Sequence, residues 1–350
     1  MGIVYFVLLL GTIVLVHEFG HFIFAKLFNV YTPEFSIGMG PKLFQVQKGE
    51  TKYTLRLLPI GGYVAMAGED GVDFGVEIDE SRTIKGIHPC KQLVIMLAGI
   101  VMNIILSFVI FLGLFAYTGQ VNVPPKAVFD QVVEGSIAEE LGILPGDEIV
   151  RLQFSDGSTF EPNTYYDFLN EYMFYEGEEV LFTIRRDELE FEVTMAPRFV
   201  ESQGRELFGI VPPSSTVKEI SFFECFKYAG SEVLDSASTI FMTFTKLVRG
   251  RGLDMMSGPV GIYQVTETQA SYGLTSYLAL IALISVNVGI FNALPLPILD
   301  GGRALITVGE MVVGKKLNPK IEQGIMLVAW AAILALFVYV TMNDLFRLFA

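Results

Sequence analysis

The chain has 350 residues, of which 52% are hydrophobic and 18% charged, and its formal net charge is −14. It is more apolar and less charged than a soluble domain, where about 25% of residues are charged, and its acidic balance excludes the basic footprint of a nucleic-acid binder. Two distant cysteines, Cys90 and Cys225, exclude a disulfide framework and a cysteine zinc site and leave the redox compartment open.

The first apolar run, Ile3–Phe28, is long enough to cross about 30 Å of hydrocarbon. It lacks a basic n-region and a small-residue cleavage site, so it is expected to be a retained helix and not a signal peptide. Inside it lies His17-Glu18-Phe19-Gly20-His21. Two imidazoles four residues apart project from one helical face. Neutral imidazole ligates zinc, and a Glu beside the first His can act as general base toward a water that the metal activates. Ionisable groups are rare in membrane helices and mark function there. At about 1.5 Å per residue, His17 lies roughly 21 Å along from Ile3, toward the far end of the span.

Val30–Asp70 changes character. Gly38-Met39-Gly40-Pro41 is a breaker cluster, and Leu43–Lys48 and Thr51–Leu58 flank Gly49-Glu50 as a β-hairpin. Pro59–Met66, with Gly61, Gly62 and Tyr63, has two readings. It is an ordinary cytoplasmic loop, or a strand edge near the metal that pairs with an unwound substrate segment. Gln92–Tyr117 is a second span, and its Ala98-Gly99 and Asn103 read as helix-packing residues in preference to catalytic ones.

From Val121 to about Pro213 the composition is that of a soluble domain. A strand, the Gly135-Ser136 turn, a short Ala-bearing helix and Pro145-Gly146-Asp147 lead into Glu148-Ile149-Val150. This order resembles a bacterial-type PDZ domain, with a helix over Tyr165–Tyr172 and strands over Glu179–Arg186 and Glu190–Ala196. Such a domain binds an extended peptide on a strand edge, or serves here only as a spacer or plug. Ser221–Arg249 has one apolar face and is expected as an amphipathic helix on the membrane surface or packed on the core. Ser257–Ile262 reads as a compact turn followed by a short segment.

Leu274–Leu294 is a third span. It runs through Asn287 and Asn292 into Pro295-Leu296-Pro297-Ile298-Leu299-Asp300-Gly301-Gly302, and two prolines so close must break the helix. Gly324–Thr341 is the fourth span. Lys and Arg concentrate in the loop after the first span and in the loop before the last, which assigns both loops to the cytoplasm. Both termini and the PDZ-like segment are then outside it, with the metal nearer the cytoplasmic side. The expected architecture is a polytopic α-helical membrane protein of four transmembrane helices, with a membrane-associated β-hairpin or sheet and an inserted α+β PDZ-like domain. It divides into a membrane half at 1–118, the PDZ-like domain at 120–213, an amphipathic membrane-surface helix and linker at 214–272, and a second membrane half at 273–350.

A catalytic zinc site has three protein ligands and an open position. His17 and His21 supply two. The third is His88, the remaining histidine, or Asp300, which follows a broken helix at matching depth and is preferred. Glu18 would take a proton from water attacking a peptide carbonyl and pass it to the leaving amine. A metal transporter or channel would also carry intramembrane His and Asp, but it predicts more spans or inverted repeats. A catalytically inactive helix-binding scaffold would not need Glu18.

The HExxH stretch, the single PDZ-like insertion, Gly258-Pro259-Val260-Gly261 and Asn292–Gly301 occur in that order across essentially the whole chain. Together they resemble the site-2 protease family of intramembrane zinc metalloproteases, in its bacterial regulator branch. The resemblance implies Zn2+ on His17, His21 and Asp300, with Glu18 catalytic. It implies Asn292, Pro295 and Pro297 beside the substrate, and a hairpin around Lys42–Met66, including Gly61, Gly62 and Tyr63, that guides an extended substrate strand. It further implies a multi-pass protein of the bacterial inner membrane. The implied substrates are single-span membrane proteins already cut by an upstream site-1-type protease, such as anti-sigma factors, or remnant signal peptides. Some relatives of this kind carry two PDZ domains, and one is visible here.

Overall fold

The first helix, α1 (Gly2–Leu27), buries Leu9, Ile13, His17, Gly20, His21 and Ala25. Steps of three and four put these on one face, while Ile3, Leu8, Phe19 and Ile23 on the others are exposed, as lipid-facing residues are. The helix stops at Phe28, and Asn29 takes a left-handed φ of 63°. This computed structural model describes residues 1–69, 78–175, 177–200, 205–253 and 255–349.

Strands β1 (Glu34–Lys48) and β2 (Thr51–Ala65) follow, paired antiparallel around Gly49-Glu50, where Gly49 has φ 63°. The Gly38–Pro41 cluster does not break the strand. Gly38 and Gly40, at φ 83° and 84°, absorb the bends, and the ladder shifts register there. The two strands therefore curl. Phe35 pairs with both Tyr53 and Val64, whereas Gly62–Ala65 pair only with 34–37 among the described residues. Residues 62–65 are thus an edge. Arg56 ties the curl together, donating to Glu34 Oε1 at 2.8 Å, the Tyr63 hydroxyl at 2.6 Å, Ser36 Oγ at 2.8 Å and the Gly40 carbonyl at 2.8 Å.

Helix α2 (Pro89–Thr118) buries Ile95, Gly99, Asn103, Ser107 and Phe111, a stripe at every fourth residue. Next comes a separate unit, Thr118–Ser221 with Lys246–Leu253. It contains β3 (Gln120–Val123), β4 (Gln131–Val132), α3 (Ile137–Glu140), β5 (Glu148–Gln153), β6 (Thr159–Phe160) and α4 (Tyr165–Tyr172). It continues with β7 (Val180–Arg186), β8 (Leu189–Met195), β9 (Arg198–Val200), β10 (Arg205–Leu207), β11 (Ile210–Val211) and β12 (Thr216–Glu219). A four-stranded sheet, β6-β5-β7-β8, packs Ile149, Leu152, Phe182 and Ile184 with Phe129 and Phe168. Pairing of β12 with β3 brings the unit's two ends together. Buried Asp147 of the Pro-Gly-Asp turn takes both arms of Arg186 at 2.7 Å. Lys246 pairs with Glu171, and Arg251 with Glu178, so segment 246–253 is docked on this unit.

The other unit comprises Met1–Tyr117, Phe222–Thr245 and Asp254–Ala350. The amphipathic helix α5 (Phe222–Val248) belongs to it as far as Thr245 and does not lie free on a surface. Its stripe of Cys225, Ala229 and Val233 is buried, and the last two pack with Phe111 of α2 and with Ala282 and Val286 further on. The stretch expected as a turn and linker is a helix, α6 (Pro259–Ser271), with Pro259 at its first position. Asp344 accepts from Gly258 N at 3.1 Å and Gly261 N at 2.9 Å, satisfying donors that a helix start leaves open. Then come α7 (Leu274–Asn292), α8 (Asp300–Val313) and α9 (Pro319–Phe349). Among the described residues, four helices are long and apolar enough to span a membrane: α1, α2, α7 and, over Lys320–Arg347, α9. Leu9 and Ile13 of α1 pack with Tyr277, Leu280 and Ile281 of α7.

Candidate metal centre

Two helices bring three donor residues to one point. Helix α1 supplies His17 and His21 from its packed face. The Pro295–Pro297 break ends α7 and restarts the chain as α8, whose first residue is Asp300. A carboxylate in the first turn of a helix is favoured by the orphan N–H groups there. Gly301 and Gly302 permit the sharp restart, because a Cβ on either would strike the Ala293 or the Leu296 carbonyl.

His17 Nε2, His21 Nε2 and Asp300 Oδ2 form a triangle with sides of 3.2, 3.1 and 3.3 Å. Both rings are buried, and among the described residues Asp300 Oδ2 has no hydrogen-bond partner. His21 Nδ1 lies 2.8 Å from the Ile95 carbonyl, which can only accept, so this nitrogen holds the ring proton and Nε2 presents a lone pair. Lone pairs converging on a carboxylate oxygen repel unless a cation sits among them. Tetrahedral zinc with ligands at about 2.0–2.1 Å needs donors about 3.3 Å apart, so the residues present fit that ion.

The surroundings of the triangle come from the α2 stripe. Its Ile95 carbonyl orients His21. Gly99 forms the floor: an added Cβ would lie 2.5 Å from His21 Nε2 and 2.6 Å from His17 Cε1. Asn103, fully buried, sets its side-chain amide 3.2 Å from His17 Nδ1, and its Oδ1 has no partner among the described residues. Turning the amide over, which exchanges two atoms of similar size, gives Oδ1 the His17 Nδ1–H and leaves Nε2 free for a metal. Sequence reasoning took Gly99 and Asn103 as packing residues. The signal was their spacing of four, the same as that of the two histidines.

A sequence profile of peptidase family M50 matches residues 5–336. The chain belongs to peptidase family M50. It is 32% identical to zinc metalloprotease RasP of Shouchella clausii, over 99% of each chain, and 30% identical to zinc metalloprotease RasP of Bacillus licheniformis, again over 99% of each. The M50 chain is therefore an intramembrane zinc metalloendopeptidase of the site-2 protease type, and a multi-pass membrane protein that acts on membrane-embedded substrates.

In this M50 peptidase, the residues singled out from sequence divide as follows. His17, Glu18, His21 and Asp300 line one cavity of 310 Å³, together with Tyr63 and Asn292. Gly62 is close by, since its Cβ would lie 3.6 Å from Glu18 Cγ. Pro297 lines a second, larger cavity. Gly61 and Pro295 line neither of these two cavities. His88 is not brought to the cluster. Its Nδ1 accepts from Cys90 N at 3.2 Å at the start of α2.

Proposed function

We propose that His17, His21 and Asp300 hold the zinc of this peptidase and that Glu18 is its general base. The observation that carries the reading is the triangle of three donor atoms 3.1–3.3 Å apart, with Glu18 in the same cavity. Zinc, when bound, supplies the Lewis acidity that activates water and polarises a peptide carbonyl. Glu18 takes the proton of the attacking water and returns it to the leaving amine. The edge at Gly61, Gly62 and Tyr63 receives the substrate as an added strand, since an unwound segment at membrane depth must have its backbone groups satisfied. Asn292, Pro295 and Pro297 flank that strand from the broken end of α7.

The substrates are single-span membrane proteins trimmed beforehand by a site-1-type protease, such as anti-sigma factors, or remnant signal peptides. Helix-weakening residues near the scissile bond lower the cost of unwinding. The Lys- and Arg-rich loops put the zinc toward the cytoplasmic side of a bacterial inner membrane, with both termini and the inserted domain outside. The inserted domain is PDZ-like and meets substrate ectodomains before the membrane core does.

The test is one preparation measured for zinc and for cleavage of a single-span reporter. Glu18→Gln keeps the zinc and loses cleavage, and Asp300→Asn loosens the metal. Full cleavage by Glu18→Gln refutes the mechanism. Unchanged zinc retention in Asp300→Asn removes Asp300 from the ligand set.

A further inference from the structure

The zinc cavity of 310 Å³ borders the second cavity, of 1030 Å³, whose walls include Gln92, Thr307, Lys316 and Trp330. Four residues line both: Ile84, Met96, Glu69 and Arg303. The two charged ones are joined, Arg303 Nη1 lying 3.2 Å from Glu69 Oε1. Each is anchored to a part of the site. Glu69 Oε2 accepts from Met66 N at 3.3 Å, directly after the β2 edge. The Glu69 strap is itself held, Ala67 N donating to the Tyr31 carbonyl and Ile84 N to the Ala67 carbonyl. Arg303 stands one turn after Asp300 on α8, its N donating to the Leu299 carbonyl at 3.0 Å.

The pair therefore bridges two elements that are 234 residues apart in sequence. One is the edge that presents substrate and the other is the turn that presents the third metal ligand. Among the described residues no other hydrogen bond between side chains joins the 61–69 segment to α8. We propose that Glu69 and Arg303 are positioning residues that fix the distance between the β2 edge and the Asp300 turn, and so hold the scissile carbonyl in register with the zinc and Glu18. Neither is one of the three residues proposed as ligands. This rests on the reading above that the β2 edge carries the substrate.

Misplacement of reacting groups by about 1 Å can cost on the order of 10²-fold in rate, so loss of the bridge is read in kcat. The test uses the full-length, zinc-loaded chain in detergent micelles with a single-span reporter. Variants are Glu69→Gln, Arg303→Met, the double variant and Arg303→Lys, with zinc per chain measured on each. We expect each single change to lower kcat by about 10–100-fold with KM within about threefold and zinc stoichiometry unaltered. The double variant is no worse than the poorer single one, and Arg303→Lys recovers most of the rate. Unchanged kcat in both single variants overturns the proposal. So does additive loss in the double variant, and so does loss of zinc in proportion to activity, which would make the pair a support for the ligands. Failure of the parent reading is separate: it appears as cleavage unaffected by Tyr63→Pro and by Val64→Pro, one of which removes an outward backbone donor of the edge, whatever these four variants do.

Discussion

Gly99→Ala is the smallest change that tests the metal centre. The new methyl carbon would start 2.5 Å from His21 Nε2 and 2.6 Å from His17 Cε1, where ordinary contact begins at 3.4 Å. Clearing His21 from 2.5 to 3.4 Å requires a shift of about 0.9 Å, against a tolerance of roughly 0.2 Å in metal–ligand distances. The imidazoles have little freedom to retreat, since His21 Nδ1 is held by the Ile95 carbonyl and Gly20 already abuts the Ala98 carbonyl. Loss of a group that merely orients a ligand costs about 10–100-fold in metal affinity. Direct displacement of two ligands should cost at least that. The assay follows zinc per chain during dialysis against a chelator, with helix content recorded alongside. Gly113→Ala is the matched control: it lies in the same helix with nothing within 4 Å of its Cβ, and in isolation an Ala there favours the helix by about 1 kcal/mol. If Gly99→Ala retains zinc as tightly as Gly113→Ala, the floor beneath the imidazoles is not where the structure puts it and the ligand geometry derived from it fails.

Two further outcomes are expected. Asn103→Leu should weaken zinc retention by about 10–100-fold, while Asn103→Asp, which can only accept from His17 Nδ1, should keep it; equal retention in both, measured by the same dialysis, contradicts the turned amide. In the curled sheet, burial alone would raise the Glu34 carboxyl, but hydrogen bonds from Thr54, Arg56 and Tyr63 outweigh it and hold Glu34 below the usual carboxylate range. A lowered folded value means that this stabilisation is complete above the unfolded value of about 4.3 and fades as pH falls through the folded one. The difference in melting temperature between the parent and Glu34→Gln should therefore shrink in acid, and a difference that grows in acid would reverse the assignment.

What the sequence discloses is what period and chemistry can encode. The apolar runs, the His17–His21 spacing, the proline break before Asp300 and the Gly49-Glu50 turn each act within a few residues, and the corresponding elements appear in α1, β1, β2, α7 and α8. Contacts that depend on tertiary approach were not legible. Nothing local says that Gly38 and Gly40 bend a strand instead of ending it, because that depends on partners at 54–63. Nor does the Ser257–Ile262 stretch disclose a helix start whose donors are met by Asp344, more than eighty residues later. The surface setting of α5 could not be separated from a packed one by amphipathicity alone, since an apolar stripe serves lipid and protein equally.

The same distinction explains how the centre is built. The metal-binding side chains are few and recognisable, but their positions are set by backbone: the Ile95 carbonyl behind His21, the Cα of Gly99 beneath both rings, and the Ala293 and Leu296 carbonyls against Gly301 and Gly302. Backbone in packed helices moves little, so it fixes where the three donor atoms stand. The substrate side is different. Among the described residues the 62–65 edge is paired on one side only, and the one ion pair that ties the adjoining Glu69 to α8 has Arg303 45% exposed. Rigid ligands beside an edge joined to the Asp300 turn by one ion pair suit an enzyme whose metal must stay fixed while the backbone of its substrate changes from helix to strand. Stiffening the edge, for example by a covalent link between β2 and α8, should then slow the capture of helical substrates more than that of short unstructured peptides.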